Sequence, residues 1–500
     1  MECEKNSPYD FDPNGGVGTY QFLQSVNIVV QAWDKSTGNG IFVSNKGGTT
    51  ASVQGVTSPF QPKLATHCAH VGGDDLAMYD HMDGVWIIAF KTTWKDGNNF
   101  THYSFCIATS TQDDLEGTGG ASYWNAYDFV LDTVLPTDSN DSQNYYHPDY
   151  SKLGTWNDGH FYVSWDLFDP VKFTVYGSEV CSLDRTSIVA GNAASPMNCY
   201  VYWPAGQTNG MWNAGTKPTL IHTILPADVE SSNPVQQPPS GRSPWFLAIV
   251  NPNNGNGGPC NSGPCTSNQL ALWNWTAVSG QQAPNLLTVN TYTPGCYDPG
   301  NPVATICIPE PGGYKVDSVG DRMMHRLVYR NLPQNSTLSR LGGETLAATH
   351  TINDPSSGNT DIRYYLIRVS GDSTPSVAAT GNLSDATLNL FMPSASMDEK
   401  GDLGIVYSTS AGCTTSNCYP ALNFVVVPNG QAPDPPTLVI QGTAENQATP
   451  GLWGDYFGAG VDPTDDLTFW GVGEYFNTTQ TNSLVTWQTR ITKCQYTNGC

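Results

Sequence analysis

Apolar residues along this chain come in short runs, each introduced by a turn carrying Asp and Gly. Asp83-Gly84 precedes Trp86-Ile87-Ile88-Ala89-Phe90, and Asp158-Gly159 precedes Phe161-Tyr162-Val163-Ser164-Trp165. Gly401-Asp402 leads into Leu403-Gly404-Ile405-Val406-Tyr407, and Asp465-Asp466 into Leu467-Thr468-Phe469-Trp470. Looser copies stand at Gly15-Gly16, at Gly241 and at Gly320-Asp321. With Gly16, Gly84, Gly159, Gly241, Gly320, Gly401 and Asp466 as markers, the steps run from 65 to 82 residues. Near-even spacing of this kind is what repeated supersecondary units leave in a sequence. Within the second unit the β-branched and aromatic runs predict strands over Leu76–Tyr79, Val85–Phe90, His102–Thr109 and Tyr123–Val130. The repeat therefore predicts an all-β fold: one β-propeller over residues 1–500, with seven blades of four antiparallel strands. A string of two or three β-sandwiches is the competing reading, but no shift in composition marks a linker.

The last marker leaves too few residues for a whole blade, since only Leu467–Tyr475 and Leu484–Thr492 read as strands there. Pairing of the N- and C-terminal segments is the expected closure of the ring.

Composition narrows the partners. The 44 acidic and 21 basic residues give a net charge of −23, which excludes a phosphate-binding footprint and so nucleic acid. Charged residues are only 13% of the chain, while 50 Gly and 35 Pro favour many turns over long helices. No apolar run approaches the roughly 20 residues of a membrane-spanning helix. Thirteen cysteines are many for a reducing compartment. Loop-closing distances suggest Cys181 with Cys199, Cys260 with Cys265, Cys296 with Cys307, Cys413 with Cys418 and Cys494 with Cys500. Pairing Cys68 with Cys106 then leaves Cys3 over, either free or competing for Cys494 or Cys500 as a clasp. Zinc competes poorly, because no Cys-x-x-Cys pair exists, and His67-x-x-His70 reads as an ordinary loop. The Met1–Lys5 start has no apolar signal core, so any export signal is expected to have been removed or left out of this numbering. The protein reads as secreted or displayed at a cell surface. Sequons at Asn99, Asn140, Asn274, Asn335, Asn382 and Asn477 make it a candidate glycoprotein, although their number is near chance.

Several segments resemble a family of large secreted bacterial β-propeller proteins of unassigned function. The similarity lies in Asp12–Gly18 with Tyr20–Asn27, Pro148–Gly159, Gly320–Asn331, Asp361–Tyr365, Trp453–Tyr456 and Val461–Asp466 leading to Phe469-Trp470. It implies a propeller and export, and no reaction. Asn157 and His160 stand where that family usually has Pro and an aromatic residue.

Walker, His-Glu-x-x-His, Gly-x-Ser-x-Gly and haem-attachment motifs are all missing. Arg322, Arg326 and Arg330 share one face if their segment is extended, with His350 and Arg363 in the next strands. Lining a channel, they would form an anion or glycan receptor. The plainer reading pairs them with carboxylates such as Asp317, Asp321 and Asp361. Asp10-x-Asp12-x-Asn14-Gly15 matches the opening half of a calcium loop, against an ordinary Asx turn. Asp83, Asp158, Asp398, Asp462 and Asp465 are expected to cap local backbone amides. The sequence thus favours a non-catalytic structural or binding module for adhesion, contacting an extracellular glycan, a protein or copies of itself. The rival is a sialidase-like glycoside hydrolase or lyase acting on acidic glycans.

Overall fold

In the computed structural model, residues 4–7, 12–41, 54–55, 67–69, 72–116, 123–131, 145–168, 175–202, 221, 223–250, 266–274, 284–297, 306–333, 342–370, 374–413, 415–447, 451–477 and 485–496 are described. They form an all-β array of four-stranded antiparallel meanders, consistent with a β-propeller. In chain order the meanders begin with the strands Asn14–Val17, Leu76–Asp80, His147–Thr155, Leu225–Val229, Leu327–Leu332, Asn389–Met397 and Gly458–Val461. Meanders 4 and 5 join into one eight-stranded sheet through parallel pairing of Ala227–Val229 with Leu327–Tyr329. In the seventh meander the outer position is taken by Glu4–Ser7, antiparallel to Val485–Gln488.

Burial grades from the first strand outward. Leu76–Asp80, Leu225–Val229 and Asn389–Met397 are buried throughout, and so are second strands such as Leu403–Ser410. Fourth strands such as Asn285–Tyr292 and Thr437–Gln441 are largely open to solvent. This explains the uninterrupted apolar run Trp86–Phe90: a strand covered on both faces does not alternate. The core lies between neighbouring meanders, where rings meet edge to face. Between meanders 3 and 4, Tyr162 packs on Phe246 at 5.4 Å. Fully burying one such side chain contributes about 1.5–3 kcal/mol.

Each first strand packs against the next, and that of meander 7 packs against that of meander 1. Two glycines allow the backbones to approach. A Cβ on Gly154 would lie 2.3 Å from the Ala227 carbonyl oxygen, and one on Gly458 would lie 2.7 Å from the Gly15 amide.

Disulfides join Cys68 to Cys106, Cys181 to Cys199, Cys296 to Cys307 and Cys413 to Cys418. Cys494 is also disulfide-bonded, while Cys3, Cys260, Cys265 and Cys500 lie outside the described residues. This cysteine use fits an oxidising, extracellular setting. Among the described residues, the groupings of metal-ligating side chains combine these oxidised cysteines with Asp128 or Glu179, so they offer no thiolate. No helix among them is long and apolar enough to cross a membrane.

Candidate functional site

The first strands run side by side, so the residues just ahead of them gather at one mouth. Several hold the left-handed backbone region, Asp12 (φ 42°), Asp74 (φ 53°) and Thr223 (φ 53°), as does Tyr150 (φ 56°) within the third first strand. Non-glycine residues persist there only where their surroundings fix them, and such positions cluster at functional sites. Met392, at φ 53°, occupies the bulge of the sixth first strand, as Tyr150 does in the third.

Acidic and basic groups from several meanders converge on this mouth. Lys91 Nζ lies 2.8 Å from Asp74 Oδ2 and also pairs with Asp149. Both carboxyls meet the same ammonium, so their protonation is linked. Burial raises Asp74 above the carboxylate range despite Lys91. For Asp149 burial acts the same way, but Lys91 outweighs it and holds the group below its ordinary value. The Asp149 side chain keeps 28% of its exposure and is open to a ligand.

Across the mouth, Asp455 donates its backbone N–H to Asp12 Oδ1 at 2.7 Å. Burial, followed by the nearby charges of Asp12, Asp74 and Asp317, lifts the Asp455 carboxyl well above the usual range. The Arg322 guanidinium lies 3.8 Å from the centre of the Tyr150 ring, and Lys152 Nζ lies 3.6 Å from that of Tyr456. Burial lowers Lys152 from its ordinary value, against the pull of Asp455 and Asp74. The mouth therefore brings together a carboxyl raised by burial, two carboxyls that meet Lys91, and two basic side chains packed on aromatic rings.

The arginines expected to form a receptor are instead each bound to their own partners. Arg322 forks onto Asp321 at 2.8 and 3.0 Å. Arg326 bonds Asp228 and, at 3.1 Å, Glu230. Arg330 reaches Asp466 at 3.0 Å and Gln236 at 2.5 Å. Arg363 donates to Asn382 and to the carbonyls of Asn290 and Thr291. His350 Nε2 meets Tyr365 Oη at 3.0 Å, and burial lowers the imidazole to about 3. Arg322 is thus the member of the set that reaches the mouth cluster.

Of the proposed calcium loop, Asp10 lies outside the described residues. Asn14 serves the backbone, donating to the carbonyls of Asp12 and Asp75 and accepting from the Ala77 N–H. Asp12 accepts from Asp455 and Asn27. His67 stacks on Trp94 at 3.8 Å with Nδ1 2.7 Å from Asp128, and His70 lies outside the described residues.

Sequence reasoning followed the turns after each first strand and so passed over Asp74, Asp149 and Asp455. A signal was present: Asp12, Asp74 and Asp455 each stand two or three residues ahead of a first strand.

No family model matches the chain, and no curated protein matches it. Among solved structures it is similar to a xylan β-1,4-xylosidase from Bacillus halodurans, at 8% identity and a TM-score of 0.29, over 97% of this chain and 94% of that one. An α-L-arabinofuranosidase from Fusarium graminearum matches at 7% identity and a TM-score of 0.32, over 70% of this chain and 94% of that one. A Penicillium chrysogenum α-L-arabinanase matches at 7% identity and a TM-score of 0.33, over 69% and 94%. The expectation of a non-catalytic binding or structural module finds no support in these matches, whose names are those of glycoside hydrolases. The resemblance to secreted propeller proteins stands at the level of architecture, with no family assigned.

Proposed function

We propose that the chain is a glycoside hydrolase built on a single seven-bladed β-propeller over residues 1–500, closed by its N-terminal strand and acting outside the cell. What supports the reading is the convergence at the mouth of Asp455, bonded to Asp12, with Asp74 and Asp149, which meet the Lys91 ammonium. Asp455 is pushed up by burial and neighbouring acids, while Asp149 is held down by Lys91. Groups whose surroundings push their pKa values apart supply an acid and a base within one site. Protonated Asp455 would give its proton to the glycosidic oxygen as the bond to the anomeric carbon breaks, so that the leaving sugar departs as an alcohol. Ionised Asp149 would either take a proton from the attacking water or attack the anomeric carbon itself. Inversion or retention at that carbon separates the two cases. Paired arginines and a carboxylate-rich mouth support neutral glycans over acidic ones as substrate.

The test is hydrolysis of a panel of aryl glycosides that includes arabinofuranosides and xylosides. Asp149→Asn and Asp455→Asn should each lower kcat/KM by about 10²–10⁴-fold on substrates with poor leaving groups. Asp455→Asn should recover on a dinitrophenyl glycoside, whose leaving group needs no proton. Activity should also fall on the alkaline side as Asp455 loses its proton. Absence of hydrolysis across the panel, or full activity in both variants, would overturn the reading.

A further inference from the structure

A cavity of about 500 Å³ opens on the seam between the first and last meanders. It is lined by Tyr20, Asp34, Lys35, Asp465, Lys493 and Gln495 over a floor of Asp462 and Trp470. The floor is fixed by a buried network. Lys35 Nζ donates to Asp462 Oδ1 at 2.6 Å and to the Gly18 carbonyl at 2.7 Å, and the Trp470 indole N–H donates to Asp462 Oδ2 at 3.1 Å. Asp462 also caps its own turn through the Thr464 N–H and hydroxyl. Side chains held in this way present a preformed wall, and the volume lies within the range of small-ligand clefts.

The groups left over above this floor decide what the cavity can take. Asp34 receives its hydrogen bonds from Ser36 and Thr37 through Oδ1, which leaves Oδ2 as an acceptor. Gln495 donates its amide to Asp465 at 3.4 Å and keeps its carbonyl as a second acceptor. An ammonium has three N–H donors, and Lys35 uses two of them on the floor. Lys493 Nζ lies 5.3 Å from the centre of the Trp470 ring, with its donors turned to no carboxylate among the described residues. Tyr20, 51% exposed at the lip, adds a hydroxyl and an aromatic face. Donors and acceptors are therefore interleaved, as hydroxyl groups require, since each hydroxyl both gives and receives. Three carboxylates against two ammonium groups disfavour a phosphate or a polyanion.

We infer that the seam cavity is a binding site for a neutral saccharide, separate from the mouth, stacking one sugar on Tyr20 and bonding its hydroxyls to Asp34, Lys493 and Gln495. Because the ligand bridges the first and last meanders, binding also staples the seam and raises the melting temperature.

Calorimetric titration of the Asp149→Asn protein with cellotriose, maltotriose and xylotriose, against trigalacturonate, tests the site without turnover at the mouth. At least one neutral trisaccharide should bind, and trigalacturonate should not. Tyr20→Ala should weaken that binding about three- to tenfold, the worth of an aromatic contact, and Asp34→Asn should weaken it through the lost acceptor. Tyr20 is half exposed, so its truncation leaves the core packing in place. The inference falls if no neutral trisaccharide binds, if trigalacturonate binds as well, or if both substitutions leave binding unchanged, which would put the sugar at the mouth. Hydrolysis without seam binding would sink this site alone, and seam binding without hydrolysis would sink the enzymatic reading alone.

Discussion

Glu310 shows what a single buried carboxyl does to this protein. It is completely buried, and both its oxygens accept from the Asn446 N–H at 3.1 and 3.2 Å. Burial raises it to about 8, against the pull of that N–H, from an ordinary value of 4.5. Between these values the folded chain keeps a proton that the unfolded chain has lost, so stability is present at low pH and is lost as pH rises through 8. Melting temperatures compared at pH 5.5 and 8.5 should fall on the alkaline side. Glu310→Gln, neutral at both, should reduce that fall, and an identical fall in the variant would reject the assignment. At this scale the sequence was half legible. It marked Arg322, Arg326 and Arg330, but the partners of Arg326 and Arg330 stand 96 to 136 residues away at Asp228, Glu230 and Asp466. Only the arrangement of the meanders brings those carboxylates to the arginines. The same long-range convergence hides the mouth, where Asp74, Asp149 and Asp455 come from three separate meanders.

Strands and turns were easier to read, because their causes are local. The second meander falls at Leu76–Asp80, Val85–Lys95, Thr101–Ser110 and Trp124–Val130, the positions its apolar runs predict, with a longer central hairpin. Asp158, Asp398, Asp462 and Asp465 each accept a backbone N–H two residues on. Asp83 departs from the pattern: Asp80 accepts the local amides there, and Asp83 pairs with Arg185 at 2.7 Å. Two of the six glycine markers also do other work. Gly16 lies inside a first strand, where a Cβ would meet the Tyr79 amide nitrogen at 2.8 Å, and Gly320 packs directly on Gly295. Glycine marks close approach as readily as a turn, and a spacing rule alone does not separate them. The Asp465 turn offers the clearest energetic test. Its carboxylate receives the Leu467 and Thr468 amides and the Thr468 hydroxyl. Asp465→Ala should lower the stability measured in urea by about 0.5–2 kcal/mol, the usual worth of a capping residue. An unchanged midpoint would show that the turn is held by its neighbours.

At the scale of the whole molecule, the first and last meanders meet across a seam of specific bonds. Gln24 donates to Thr489 at 2.6 Å, Lys35 to Asp462 at 2.6 Å, and Phe22 stacks on Trp470 at 5.9 Å. Beyond these side chains, the strand Glu4–Ser7 covers the edge of Val485–Gln495 with backbone pairing from Glu4↔Gln488 to Ser7↔Val485. An uncovered edge strand presents a row of free N–H and C=O groups that can pair with another chain. The N-terminal strand therefore contributes to stability and also blocks self-association. Removing residues 1–7, or placing proline at Asn6 so that the strand loses an amide donor, should lower the melting temperature. Either change should also shift light scattering toward larger species as protein concentration rises, since the bared Val485–Gln495 edge would recruit another copy. The two changes differ in bulk and charge but share the loss of edge pairing, so agreement between them isolates that cause. If both variants keep the parent melting temperature and stay monodisperse, the seam side chains alone hold the last meander, and the strand is dispensable.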